Sequence, residues 1–129
     1  MNTELDQDSC KRVVVLGASP KPERYANKAI LMLKEKGHEV IPIHPKFDQI
    51  EGLQVIPRLS EIKEPYDTLT LYVGLQRSET MIDEIIASAP KRVIMNPGSE
   101  SELLETRLKE AGIWVVHGCT LVMLQTGQF

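Results

Sequence analysis

Five short runs of mostly apolar residues, rich in β-branched side chains, recur along this chain: VVVLG at 13–17, EVIPI at 39–43, TLTLYV at 68–73, RVIMN at 92–96 and IWVV at 113–116. Runs this short and this apolar suit strands buried on both faces, and such strands belong to parallel sheets covered by helices. The stretches between them carry helical spacing. In ANKAILMLKEKG, Ala26, Ile30 and Leu33 share a face and Gly37 supplies a left-handed stop. In SETMIDEIIASAP, Met81, Ile82, Ile85 and Ile86 make an apolar stripe that ends before Pro90. In GSESELLETRLKEAG, Ser99 and Glu102 have capping-box spacing, Leu103, Leu104 and Leu108 are expected to face inward, and Gly112 closes the helix. One crossover lacks a long helix: HPKFDQIEGLQVIPRLSEIKEP offers turn residues and a single helical turn at 59–62.

Alternation at this spacing implies right-handed crossovers and a doubly wound α/β sheet of five parallel strands, expected in the order 3-2-1-4-5. The 129 residues suffice for one domain with one core and no stapling by metal or disulfide. The methionines 32, 81, 95 and 123 read as core or helix surface, and Trp114 as core. A net charge of −3 with dispersed cations argues against a nucleic-acid binder. The opening MNTELDQDSCKR has no apolar segment, and no run approaches the roughly 20 apolar residues of a membrane span. Residues 1–11 therefore read as a short flexible leader, and residues 12–129 as the domain of a cytoplasmic protein. Cys10 and Cys119, far apart in sequence, suit a reducing compartment.

Ligands of doubly wound sheets bind beyond the carboxyl ends of the strands, where the strand order reverses. The sequence brings GASPKPERYANK, HPKF, VGLQRS and NPGSE to that edge, with HGCT opening on the same side. The dinucleotide fingerprint G-x-G-x-x-G is absent, since only Gly17 is present, and Lys21 and Pro22 replace its freedom. Three helix N-termini compete for an anion. The one after Asn96 carries Glu100 and Glu102, which repel it. The one after Arg24 is flanked by Lys21, Arg24 and Lys28, with Glu23 the nearby carboxylate, and is the better site; Arg77 and Ser78 open the third. A nicotinamide dinucleotide site places an acid at the end of the second strand for the ribose diol. His44 and Lys46 stand there instead, and suit a phosphate.

The combination of GASPKPER, GHEVIPIHPK, IEGLQVIPRLSEI, YDTLTLYV and RVIMNPGSE, covering nearly the whole chain after Cys10, resembles the small CoA-binding proteins whose domain is similar to that of the succinyl-CoA synthetase alpha subunit. The resemblance implies a Rossmann-like fold with CoA as ligand. It implies phosphates near Gly17, Ala18 and Ser19, with Pro45 and Lys46 along the nucleotide and Val73, Gly74 and Arg77 beside the adenine or 3′-phosphate. The chain departs from many relatives in having NPGSE where they have Q-x-G, and Gly118 where they have a basic residue before the cysteine. With the flanking residues of the same segments, the candidate binding set is completed by Pro20, Arg24, Asn27, Lys28, His44, Asn96, Pro97 and Gly98.

No G-x-S-x-G elbow, P-loop lysine or paired-carboxylate signature is seen. Succinyl-CoA synthetase relies on a phosphorylated histidine in a further domain and on a second subunit. The expectation is therefore a non-catalytic CoA or acyl-CoA binding module. The alternatives are an NAD(P)- or other nucleotide-binding subunit of an enzyme completed by a partner, and an interaction protein with a vestigial pocket. Partner and oligomeric state stay open. His44, His117 and Cys119 have no local metal-ligand spacing, Cys119 reads as a packing residue, and His38, after Gly37, as surface.

Overall fold

The computed structural model describes residues 10–129; the first nine residues of the expected leader lie outside them. In chain order the elements are β1 (Arg12–Leu16), α1 (Tyr25–Glu35), β2 (Glu39–Ile43), β3 (Gln49–Ile50), β4 (Leu53–Gln54), a 3-10 turn (Leu59–Glu61), β5 (Thr68–Leu71), α2 (Leu75–Ser78), α3 (Ile82–Ser88), β6 (Arg92–Met95), α4 (Glu102–Glu110), β7 (Trp114–His117) and α5 (Thr120–Gln125).

Five strands form one parallel sheet in the order β2-β1-β5-β6-β7. Outside β2 a single parallel bridge joins Ile43 to Ile56. Counted as the third member, that bridge gives the order 3-2-1-4-5-6 of a Rossmann-like sheet, which contains the expected 3-2-1-4-5 pattern. The segment 68–73, third among the strands read from sequence, is thus the fourth and lies directly against β1. The intervening crossover carries a two-stranded ribbon, β3–β4, whose turn residues Glu51 and Gly52 both have positive φ, 50° and 77°. Two left-handed residues match the twist of a tight hairpin.

The alternation within β1 divides the core. Val14 and Leu16 pack with Leu69, Leu71, Ile82, Ile85, Leu104 and Leu108, so α3 and α4 cover that face. Val13 and Val15 pack with Ala26, Ile30, Leu33 and Leu124, so α1 and α5 cover the other. No helix among the described residues is long and apolar enough to cross a membrane.

Several local expectations are corrected. Trp114 is 62% exposed, because β7 is the sheet edge, and its ring lies 5.5 Å from the Arg92 guanidinium. Leu103 is 51% exposed, on the outer side of α4. The α4 cap is Ser101, whose Oγ accepts from Leu104 N–H at 3.1 Å; Ser99 Oγ instead donates to the Asn96 carbonyl. The helix read over the SETMIDEIIASAP segment is shorter, running as α3 from Ile82 to Ser88, and a separate short α2 ends at Ser78. His38 is half-buried, with Nδ1 accepting from Lys11 N–H at 3.0 Å and its ring against Phe129.

Candidate functional site

The turn after β1 is shaped by its fit to β5. Gly17 takes φ +93°, a region glycine enters without a side-chain clash, and a Cβ there would meet Val73 Cγ1 at 2.8 Å. Tyr72 N–H donates to the Leu16 carbonyl and Ala18 N–H to the Ile43 carbonyl, tying the turn to the ends of β5 and β2. Ser19 Oγ accepts from Lys21 N–H at 3.1 Å. Asn27, fully buried on α1, donates through Nδ2 to the Ser19 carbonyl at 3.0 Å and to the Glu51 carboxylate at 2.9 Å. It holds the turn from beneath.

A cleft of about 880 Å³ opens over this turn. It gathers Gly17, Ala18, Ser19, Pro20 and Arg24 from the β1–α1 connection, His44, Pro45 and Lys46 after β2, and Val73, Gly74, Arg77 and Pro97 from beyond β5 and β6. Four expected residues are not on it. Asn27 lies below the turn. Lys28 is exposed, with Nζ 5.5 Å from the Tyr25 ring. Asn96 is buried in a network, donating to Thr70 Oγ1 and the Leu71 carbonyl and accepting from Thr120 N–H. Gly98 N–H donates to Glu100.

Lys21, one of the three cations flanking the α1 start, lines the cleft. So do two residues outside the candidate binding set. Tyr25, 67% exposed, and Phe47, 41% exposed, place two aromatic rings on its walls. Their signal lay in the segments at the ligand edge, since GASPKPERYANK contains Tyr25 and HPKF ends on Phe47. Tyr72 lines it too, and burial pushes its phenol up to about 12, partly offset by nearby Thr120 and Thr70. A smaller cleft of about 390 Å³ adjoins the first through Gly17, His44, Pro45, Val73 and Arg77, and adds Pro57, Arg58, Leu59, Met81 and Glu84.

The charge pattern is one-sided. Lys21, Arg24, Lys46 and Arg77 line the larger cleft with no carboxylate among them. None of the four is in a salt bridge among the described residues. Beside them α1 begins at Tyr25, its N-cap residue Arg24 making no side-chain cap, with no acid in its first turn. Its free N–H groups and dipole favour an anion. By contrast α4 is capped by Ser101 and carries Glu102 and Glu105 in its first turn. Burial, then Arg77 and Lys46, hold the His44 imidazole below its ordinary value.

His117 does not meet Cys119 in the hydrogen bonds of the site: its Nε2 pairs with Glu105 at 2.8 Å. Hydrogen bonds from Lys109 and His117 hold the Glu105 carboxyl down. Among the described residues no three His, Cys, Asp or Glu side chains are placed to share a metal ion. Cys119 is a free thiol.

Comparison with known proteins gives the same outline. Residues 11–125 match the family described as CoA binding domain. A crystal structure of an uncharacterized protein is 44% identical, with a TM-score of 0.89 over 94% of this chain and 99% of that one. The structure of cell-free ID.343 from Thermus thermophilus is 29% identical, with a TM-score of 0.86 over 99% of this chain and 97% of that one. The uncharacterized protein YneT of Bacillus subtilis is 26% identical over 106 residues, 82% of this chain and 78% of that one.

Proposed function

The chain belongs to the CoA binding domain family, and on that premise we propose that it binds coenzyme A or an acyl-CoA in the cleft between β1 and β5. It acts there as a cytoplasmic binding module that brings no catalytic step of its own. The observation that carries the reading is the set of four unpaired cations, Lys21, Arg24, Lys46 and Arg77, beside an uncapped helix start. CoA offers a pyrophosphate and a 3′-phosphate, enough negative charge to occupy such a set. Tyr25 and Phe47 supply apolar area for the parts of the ligand that carry no charge.

A thermal-shift panel of CoA, acetyl-CoA, NAD, NADP and ATP tests the reading, because a ligand that binds only the folded state raises the midpoint. CoA or acetyl-CoA is expected to give the largest rise. His44 and Lys46 occupy the place where an acid would hold the ribose of NAD. A shift with NAD equal to that with CoA would move the reading to a dinucleotide-binding subunit.

A further inference from the structure

His44 lies where the two clefts meet and lines both. Its Nδ1 accepts a hydrogen bond from the backbone N–H of Lys46 at 3.0 Å, the two-residue reach by which an Asn or Asp side chain closes a turn. An imidazole nitrogen that accepts carries no proton, so the neutral ring holds its proton on Nε2. The ring rests on Phe47, with centroids 4.6 Å apart, and Pro45 between His44 and Lys46 fixes the backbone φ. His44, Lys46 and Phe47 therefore move as one unit on the rim. Nε2–H has no hydrogen-bond partner among the described residues.

We infer that neutral His44 is a positioning residue whose Nδ1 closes the turn that sets Lys46 and Phe47 on the cleft rim, leaving Nε2–H as a donor to the bound nucleotide. Acidification consequently weakens capture of the phosphorylated ligand. The inference rests on the ligand reading above. Protonation places a second donor against Lys46 N–H, and the turn that fixes two rim residues is lost. The imidazolium would also attract phosphate. That gain sets one screened charge against the loss of Lys46 and Phe47 together from their places on the rim, in surroundings already mostly positive: Lys46 in its own turn, Arg77 from α2, Lys21 and Arg24 from the β1–α1 connection, Arg58 and one carboxylate, Glu84, across the smaller cleft. Burial and the nearness of Arg77 and Lys46 likewise favour the neutral ring.

Two measurements test it. In the protein without ligand, imidazole nitrogen NMR should place the His44 proton on Nε2 near neutral pH, and Lys46 amide exchange should quicken in His44→Ala and slow again in His44→Asn, whose Oδ1 accepts from the same N–H. Lys46 exchange unchanged in His44→Ala, or a proton on Nδ1, would overturn the turn. In calorimetry with CoA, the parent should bind about three- to tenfold more weakly at pH ~5.5 than at pH ~8, the effect of losing about one hydrogen bond. His44→Asn, which keeps the turn but lacks Nε2–H, should bind about three- to tenfold more weakly than the parent at the higher pH and show a smaller pH dependence, while His44→Ala, which loses both, is weaker still at both. Because the 3′-phosphate of CoA itself takes up a proton near pH ~6, a pH dependence in His44→Asn equal to the parent's overturns the ligand half of the inference. CoA that fails to bind the parent at all removes the functional reading and that half with it; the exchange data judge the turn by themselves.

Discussion

Gly17 approaches Val73 so closely that a Cβ on the glycine would lie 2.8 Å from Val73 Cγ1 and 3.0 Å from the carbonyl carbon of Tyr72. The glycine is therefore required by the sheet before any ligand arrives. Gly17→Val combines a collision with backbone and a left-handed φ of +93° that valine avoids. It is expected to lose about 2–4 kcal/mol of stability in denaturant unfolding. Parent-like stability would contradict the fit described. Loss of binding in this variant reports a displaced turn, so the ligand contacts must be tested elsewhere.

Arg24 and Arg77 supply that test, since neither forms a salt bridge among the described residues and their removal leaves no buried charge behind. Arg24→Ala and Arg77→Ala are each expected to keep stability within about 0.5 kcal/mol of the parent. Each should weaken CoA about three- to tenfold at low salt, with the difference shrinking as salt rises and screening shortens the reach of an exposed charge. Calorimetric titration at two salt concentrations checks this, and an effect independent of salt would argue against a phosphate contact.

Asn27 carries the turn from inside the protein, donating to the Ser19 carbonyl and the Glu51 carboxylate. Asn27→Leu leaves both acceptors without that donor at a fully buried position. The expected cost is about 1–3 kcal/mol. Because the same side chain ties the β1 turn to the β3–β4 ribbon, CoA affinity should fall with it. Chemical unfolding and a CoA titration of the folded variant measure the two effects, and an unaltered affinity would show that the Ser19 carbonyl is held without Asn27.

Stability should decline on acidification through the histidines. Burial lowers the imidazoles of His38 and His44 below 6.5, with Lys11 and Arg92 adding to it at His38, and Arg77 and Lys46 at His44. A base whose folded value lies below its unfolded value binds more protons when unfolded. Its contribution is intact above 6.5 and is lost as pH falls below that point. Urea midpoints from pH ~7.5 to ~5 should fall for the parent and fall less for His38→Gln, which has no titrating ring. An identical slope in the variant would remove His38 from the account.

Much of this was legible because the decisive signals are local. The alternation of Val13 and Val15 against Val14 and Leu16 marks two covered faces without knowledge of what covers them. Lys21, Arg24 and Lys46 stand beside turns that the strand ends expose, so their meeting in one cleft follows from topology. What escaped depends on neighbours distant in sequence. Trp114 reads as core until β7 is known to be an edge. Ser99 and Glu102 have capping spacing, yet the Asn96 carbonyl takes the Ser99 hydroxyl, and Ser101 caps while donating to Glu79, 22 residues away. Asn96 sits at a strand end like a ligand contact, but Thr70, Leu71 and Thr120 engage its amide.

Outside β2, the crossover arm pairs with the sheet at Ile56, which donates to the Pro42 carbonyl and accepts from His44 N–H, and it packs Ile50, Val55 and Leu59 into the core. In the wall of the smaller cleft that follows this bridge, Pro57 and Arg58 are exposed and Leu59 is buried, whereas the glycine turn opposite is locked between two central strands. Substitutions at the exposed Pro57 and Arg58 are therefore tolerated at little cost to the sheet. Ligand preference in this scaffold is thereby separable from its phosphate grip: changes confined to Pro57 and Arg58 would re-tailor one wall and leave the anion seat as it is.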